Sequence, residues 1–332
     1  KTVMIFIGAS ITYMYILACA LGIIKKCCNK RTEKKVISDT TSSPVVFSQR
    51  CFSVWNVMVV FLSISLLSAI ALVTAYIDPY FHYHGPLEEY QYNFAGERYM
   101  NDGIVRHFNY DAIITGTSMT QNFKTSTLDA LFGTQSIKTS FSGATNKELA
   151  DNLDRAFAAN PDIKMVVRSL DTYGFLQDKD LYASDFDFPT YLTNNNPFDD
   201  VKYLLNKNVF FDNVLFTFDF SKYGTTTTFD TYSNWNSSFE YGKEVVLNTY
   251  SIENLNDVAT DEAQIKTMTD NLNQNILRLA REQLDTRFYI FFPPYSICYW
   301  DVLAHNGTMK REFDLMYEAT KLLLECDNIY LY

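Results

Sequence analysis

Two uncharged apolar runs open the chain, at residues 3–24 and 54–77. Each exceeds the roughly 20 residues a helix needs to cross a hydrocarbon core. After Asp78 the pattern changes to short apolar stretches separated by longer amphipathic ones. Residues 111–115, 135–139, 163–170, 287–292 and 328–332 read as five strands. Between the strands, Leu149, Leu153 and Phe157 recur on one helical face. Ile265, Met268, Leu272, Ile276 and Leu279 do the same, as do Met309, Phe313, Met316 and Leu323. Thr145 and Glu148 have capping-box spacing at the start of the first of these helices, and Pro161 stops it. Strand–helix alternation predicts an α/β fold: a flavodoxin-like three-layer α/β/α domain on a parallel five-stranded sheet.

The rhythm breaks between residues 172 and 260, an insertion after the third strand. Tyr173, Phe188, Tyr191, Phe198, Tyr232, Trp235 and Tyr241 are among its aromatics, and a short helix is expected at 199–205. An insertion at this rim serves as a lid with sugar-contacting aromatics or as a satellite core, and both readings stay open. The organisation predicted is a transmembrane helix at 1–24, a basic cytoplasmic loop at 25–53 and a second transmembrane helix at 54–77. A juxtamembrane linker at 78–107 and the α/β domain at 108–332 follow. In the aromatic run 78–86, His82 and His84 are expected in a headgroup-level belt rather than as a metal pair.

Charge adds a direction to this picture. The chain carries a net charge of −10, which argues against nucleic acid, because phosphate binding needs a basic face. Lys25, Lys26, Lys30, Arg31, Lys34 and Lys35 lie together, opposed only by Glu33, and acids dominate after Asp78. A positive loop stays on the cytoplasmic side, so the domain is expected outside the cell membrane. Cys19, Cys27, Cys28 and Cys51 lie in or beside the membrane region without zinc-ligand spacing, whereas Cys298 and Cys326 are open to pairing. No metal or cofactor is called for. Position 1 is Lys1 and residues 328–332 read as the start of a strand, so both ends are expected to be internal to a longer protein.

Parallel sheets bind ligands at the carboxyl ends of their strands, here residues 116–122, 140–146, 171–174 and 293–300. In the run Gly116-Thr-Ser-Met-Thr-Gln121, Ser118 ends the first strand where a helix start presents backbone N–H groups. A serine there either caps a turn or acts as a nucleophile. The run lacks the glycines that a dinucleotide pyrophosphate needs.

This stretch resembles the first block of the SGNH/GDSL hydrolase family, with Ser118 in the nucleophile position and Thr117 where Asp is usual. Gly143, in Phe141-Ser-Gly-Ala-Thr145, matches the second-block glycine; the resemblance implies an oxyanion hole from the N–H groups of Ser118 and Gly143. The third block, normally Gly-x-Asn, aligns with Ser169-Leu170-Asp171, so Asp171 stands where an amide donor is expected, and a carboxylate supplies none. Residues 293–296 fit the exit of the fourth strand. The family places Asp-x-x-His after the fifth strand, and the chain ends at Tyr332 ahead of that block. His82, His84 and His107 do not stand at the matching position, and His305 is only a fallback base.

A helix-anchored domain of this kind is similar to lipoteichoic-acid D-alanylation accessory proteins and polysaccharide O-acetylation proteins. The resemblance implies a serine esterase or O-acyltransferase acting on an acylated glycopolymer or sugar, beside a membrane-bound O-acyltransferase. The alternative is a non-catalytic binding or scaffold protein that keeps the fold.

Overall fold

A computed structural model describes residues 44–183, 188–194 and 196–332; the first apolar run and most of the basic loop lie outside them. The chain divides into two compact units, Lys1–Ser65 and Leu66–Tyr332. Helix α1 runs from Pro44 to Ile77. Its stretch Trp55–Ile77, 23 residues of mean hydropathy 2.6, is long and apolar enough to cross a membrane.

Within the second unit, α1 stops at Asp78, which takes a positive φ of 46°. The Asp78 carboxyl group accepts the N–H groups of His82, Tyr83 and His84 at 2.7–3.0 Å and the Tyr203 hydroxyl at 2.8 Å. That ring of donors folds the following residues back onto the domain. Phe81 is fully buried against Tyr92, Phe94 and Phe108, and His82 sits 3.4 Å from Asp200. Residues 78–107, expected as a linker with an aromatic headgroup belt, are therefore an integral layer of the domain. They end in helix α2 (Glu97–His107).

Strand β1 (Ala112–Gly116) follows, then the short helix α3 (Ser118–Gln121) and α4 (Thr125–Phe132). Next come β2 (Ser136–Ser140), α5 (Asn146–Ala159) and β3 (Met165–Ser169). After the insertion lie α6 (Glu262–Leu272), α7 (Arg278–Glu282), β4 (Arg287–Phe291), α8 (Ile297–His305), α9 (Met309–Leu323) and β5 (Ile329–Leu331). The five strands form one sheet of order β2-β1-β3-β4-β5, and every pairing is parallel.

Alternate strand residues face opposite sides. On one face Ile113, Ile137, Val166, Phe288 and Ile290 join an apolar cluster with Leu153, Phe157, Leu272, Leu279, Leu315 and Ala319, from α5, α6, α7 and α9. On the other, Phe123 stacks on Phe291 at 5.3 Å and Phe132 of α4 meets Tyr289 at 5.7 Å. Helices thus lie on both faces. The capping box forms as the spacing requires: Thr145 Oγ1 accepts the Glu148 N–H, and Glu148 Oε2 accepts the Thr145 N–H.

The helix expected to run unbroken through Ile265 and Leu279 instead contains a π-helical turn, Asn273–Leu277, between α6 and α7. The buried guanidinium of Arg168 donates to the Asn275 carbonyl at 3.0 Å, a bond that competes with regular helix geometry. In the insertion the predicted helix shortens to Val201–Leu204. Leu192, Tyr203, Val209, Val214 and Tyr232 of the insertion are buried in the main apolar cluster, so much of it is core.

Candidate functional site

The strand order reverses between β1 and β3, and the crevice at their carboxyl ends is where such sheets bind ligands. Gly116 ends β1 with a φ of 142°. A Cβ there would overlap Ser169 Oγ of β3, so glycine at this position leaves room for that hydroxyl and suits the positive φ. Thr117 caps α3, its Oγ1 accepting the Met119 N–H at 3.3 Å. Ser118 is the first residue of the helix.

Ser118 Oγ makes no hydrogen bond among the described residues. It lines a cavity of about 580 Å³ together with Gln121, Ser142, Trp235, Phe239 and Tyr241. Trp235 is held there by two bonds: its Nε1–H donates to the Ser118 carbonyl at 3.2 Å, and its backbone N–H to Asn122 Oδ1 at 3.0 Å. Phe239 meets Trp235 edge-on at 5.6 Å. The insertion therefore supplies an aromatic wall as well as core.

The turn after β2 forms the far side. Gly143 adopts φ 59°, and the Ala144 N–H closes the turn on the Phe141 carbonyl at 3.3 Å. The Ser142 N–H donates to Glu97 Oε2 at 2.7 Å. The N–H groups of Ser118 and Gly143 have no acceptor among the described residues, while the intervening donors at Thr117, Met119, Ser142 and Ala144 are all engaged. The structure thus brings the Ser118 helix and the Gly143 turn to one cavity and leaves the same two N–H groups unpaired.

Asp171 lies at the third strand end but does not line that cavity. Its two oxygens accept the hydroxyls of Thr117 at 2.9 Å, Ser169 at 3.2 Å and Tyr295 at 2.7 Å. Burial, followed by the bond to Asp171, holds the Tyr295 phenol well above its ordinary range. Asp171 therefore ties together the exits of β1, β3 and β4. Thr117, the cap of α3, is one of its three donors.

None of the four histidines lines the cavity. His82 and His84 belong to the Asp78 turn. The His107 ring faces the His82 carbonyl at 3.3 Å, and the His305 ring faces the Asp301 carbonyl at 2.9 Å on α8. Cys298 and Cys326 are both free thiols.

Two charged residues that the sequence did not single out hold the Ser118 helix. Lys138 is fully buried in β2, and its ammonium donates to the carbonyls of Gln121 at 2.5 Å and Phe123 at 3.1 Å, at the end of α3. Burial lowers its pKa to about 8, against opposing pulls from Asp230 and Glu97. Glu97 accepts Gln121 Nε2 in addition to the Ser142 N–H. Burial raises the Glu97 carboxyl, with the Ser142 N–H, Ser233, Arg98 and Gln121 opposing. A lone lysine inside the strand 135–139 was the available signal for Lys138. Nothing in the local pattern marked Glu97.

Comparison with protein-family models, curated proteins and solved structures gave no match in any of the three.

Proposed function

We propose that this chain is a membrane-anchored, extracytoplasmic SGNH-like acyl-ester hydrolase or O-acyltransferase acting on an acylated cell-envelope glycopolymer, with Ser118 as nucleophile. One observation carries the reading: a serine hydroxyl with no partner among the described residues lines an aromatic-walled cavity at the strand-order reversal, beside the turn of Gly143, whose N–H, like that of Ser118, has no acceptor among the described residues.

Ser118 Oγ attacks the ester carbonyl carbon and gives up its proton to a base. The tetrahedral oxyanion is met by the Ser118 and Gly143 N–H groups. Collapse expels the sugar alcohol, which takes a proton, and leaves an acyl-Ser118 ester. Water then resolves it in hydrolysis, or an acceptor hydroxyl in transfer. Trp235, Phe239 and Tyr241 suit the apolar face of a sugar ring, and Gln121 and Ser142 suit its hydroxyls. A membrane-bound O-acyltransferase fits as the partner that supplies or receives the acyl group.

The second reading, a non-catalytic binding or scaffold protein, is favoured by two features. No imidazole lines the cavity, and Asp171 is occupied by three hydroxyls where the family has an amide donor.

The full chain in membrane vesicles, given an O-acetylated polysaccharide or 4-nitrophenyl acetate, separates the two. Ester cleavage or acetyl transfer is expected to fall roughly 100-fold or more in Ser118→Ala. Equal turnover by wild type and Ser118→Ala contradicts Ser118 as the nucleophile, and no turnover by either contradicts the enzyme and leaves binding.

A further inference from the structure

The first two residues of α2 hold two successive peptide groups of this turn, Glu97 the Phe141–Ser142 peptide and Arg98 the Ser142–Gly143 peptide. The Ser142 N–H donates to Glu97 Oε2 at 2.7 Å, and Arg98 Nη2 donates to the Ser142 carbonyl at 3.0 Å. Ser142 C=O and Gly143 N–H belong to one planar peptide group, and in a trans peptide they point in opposite directions. No peptide bond in the described residues is cis. Whatever fixes the Ser142 oxygen therefore also fixes the direction of the Gly143 N–H.

That direction needs fixing. Gly143 sits at φ 59°, and a glycine tolerates either sign of φ, so rotating the preceding peptide costs little backbone strain. Arg98 is itself anchored. Its Nε donates to Glu148 Oε1 at 2.9 Å, its Nη2 reaches Glu148 Oε2 at 3.3 Å, and both side chains are buried. Glu148 is in turn the carboxylate of the α5 capping box. A charged donor on the carbonyl also polarises the amide group on its far side. On the other flank, Glu97 accepts Gln121 Nε2 from the helix that begins at Ser118. One dipeptide thus holds the turn that carries Gly143 and touches the helix that carries Ser118.

We propose that Glu97 and Arg98 are positioning residues that aim the Gly143 N–H into the Ser118 cavity and hold that turn in register with the Ser118 helix. This rests on the reading of Ser118 and Gly143 as nucleophile and oxyanion donor. It adds that the donor's direction is set from outside the site, by residues that touch no substrate.

The test uses the full chain in detergent, labelled with ¹⁵N-glycine, and a fluorophosphonate as the serine probe. With 12 glycines in the chain, the Gly143 amide resonance is assigned by its loss in Gly143→Ala. In Arg98→Met that resonance is expected to shift. The maximal phosphonylation rate should fall about ten-fold with little change in half-saturating probe, and Arg98→Lys should recover part of both. Glu97→Gln keeps the shape but weakens the acceptor, and is expected to act in the same direction. Arg278→Met, which breaks the ion pair to Asp154 on another surface, should move neither reading. An unchanged Gly143 resonance in Arg98→Met and Glu97→Gln overturns the proposal, as does an unchanged rate in a labelled chain. If the wild type takes no label but the Gly143 resonance still shifts, the grip on the turn stands and the nucleophile reading falls.

Discussion

Lys138 is the residue whose chemistry departs furthest from its surroundings: a lysine with no solvent exposure, in the strand beside β1. Its ammonium spans two carbonyls at the end of α3, where a cation complements the helix terminus. Its pKa falls from 10.5 to about 8 on folding, so the unfolded chain holds this proton more tightly. Between those values the unfolded state binds more protons, and stability rises with pH through that window. Urea denaturation from pH 7.5 to 10 is expected to show this rise in wild type and to lose it in Lys138→Met; parallel curves would contradict the assignment. Asp171 shows the opposite side of residue-level reading. Its place at a strand end was legible, but its role was not, because Thr117 and Tyr295, two of its three donors, come from distant segments. Glu97 and Arg98 were invisible for the same reason: their contacts with Ser142 span more than 40 residues of chain.

At the level of elements, the sequence located all five strands to within about two residues; β1, β3, β4 and β5 are short apolar runs, and the more polar β2 is marked by the turn at Gly133 that precedes it. The α5 helix was equally legible, since its start is written in Thr145 and Glu148 and its face in Leu149, Leu153 and Phe157. One element differs from the expectation and one long helix, present as expected, carries an unexpected turn, each through a contact that local pattern does not encode. Arg168 takes the Asn275 carbonyl and produces a π-turn inside a pattern that reads as one continuous helix. Asp78 gathers three backbone N–H groups and Tyr203, turning an apparent linker into packed structure. In the insertion, Tyr203 and Tyr232 are core, while Trp235 and Phe239 line the cavity.

For the whole molecule, the apolar stretch of α1 and the basic cluster from Lys25 to Lys35 combine into a prediction of sidedness. The full chain should stay in the membrane pellet after alkaline carbonate. In intact cells or right-side-out vesicles, a protease added outside should reach the Leu66–Tyr332 unit and leave the basic loop intact. Release by carbonate, or cleavage of the domain only after the membrane is opened, would contradict this arrangement. The candidate site was legible to the extent that parallel-sheet topology makes it so: Ser118 and the Gly143 turn stand at strand ends, where the order reversal brings loops together. The aromatic wall and the buried charges behind it come from distant segments, and only folding assembles them.

If Ser118 is the nucleophile proposed above, a serine-reactive probe traps it covalently. The full chain in membranes, treated with a fluorophosphonate, is analysed by intact mass and then by peptide mapping. One phosphonyl group per chain is expected, mapped to Ser118 and absent from Ser118→Ala. A chain that takes no label, or takes it elsewhere and equally in Ser118→Ala, would contradict that proposal.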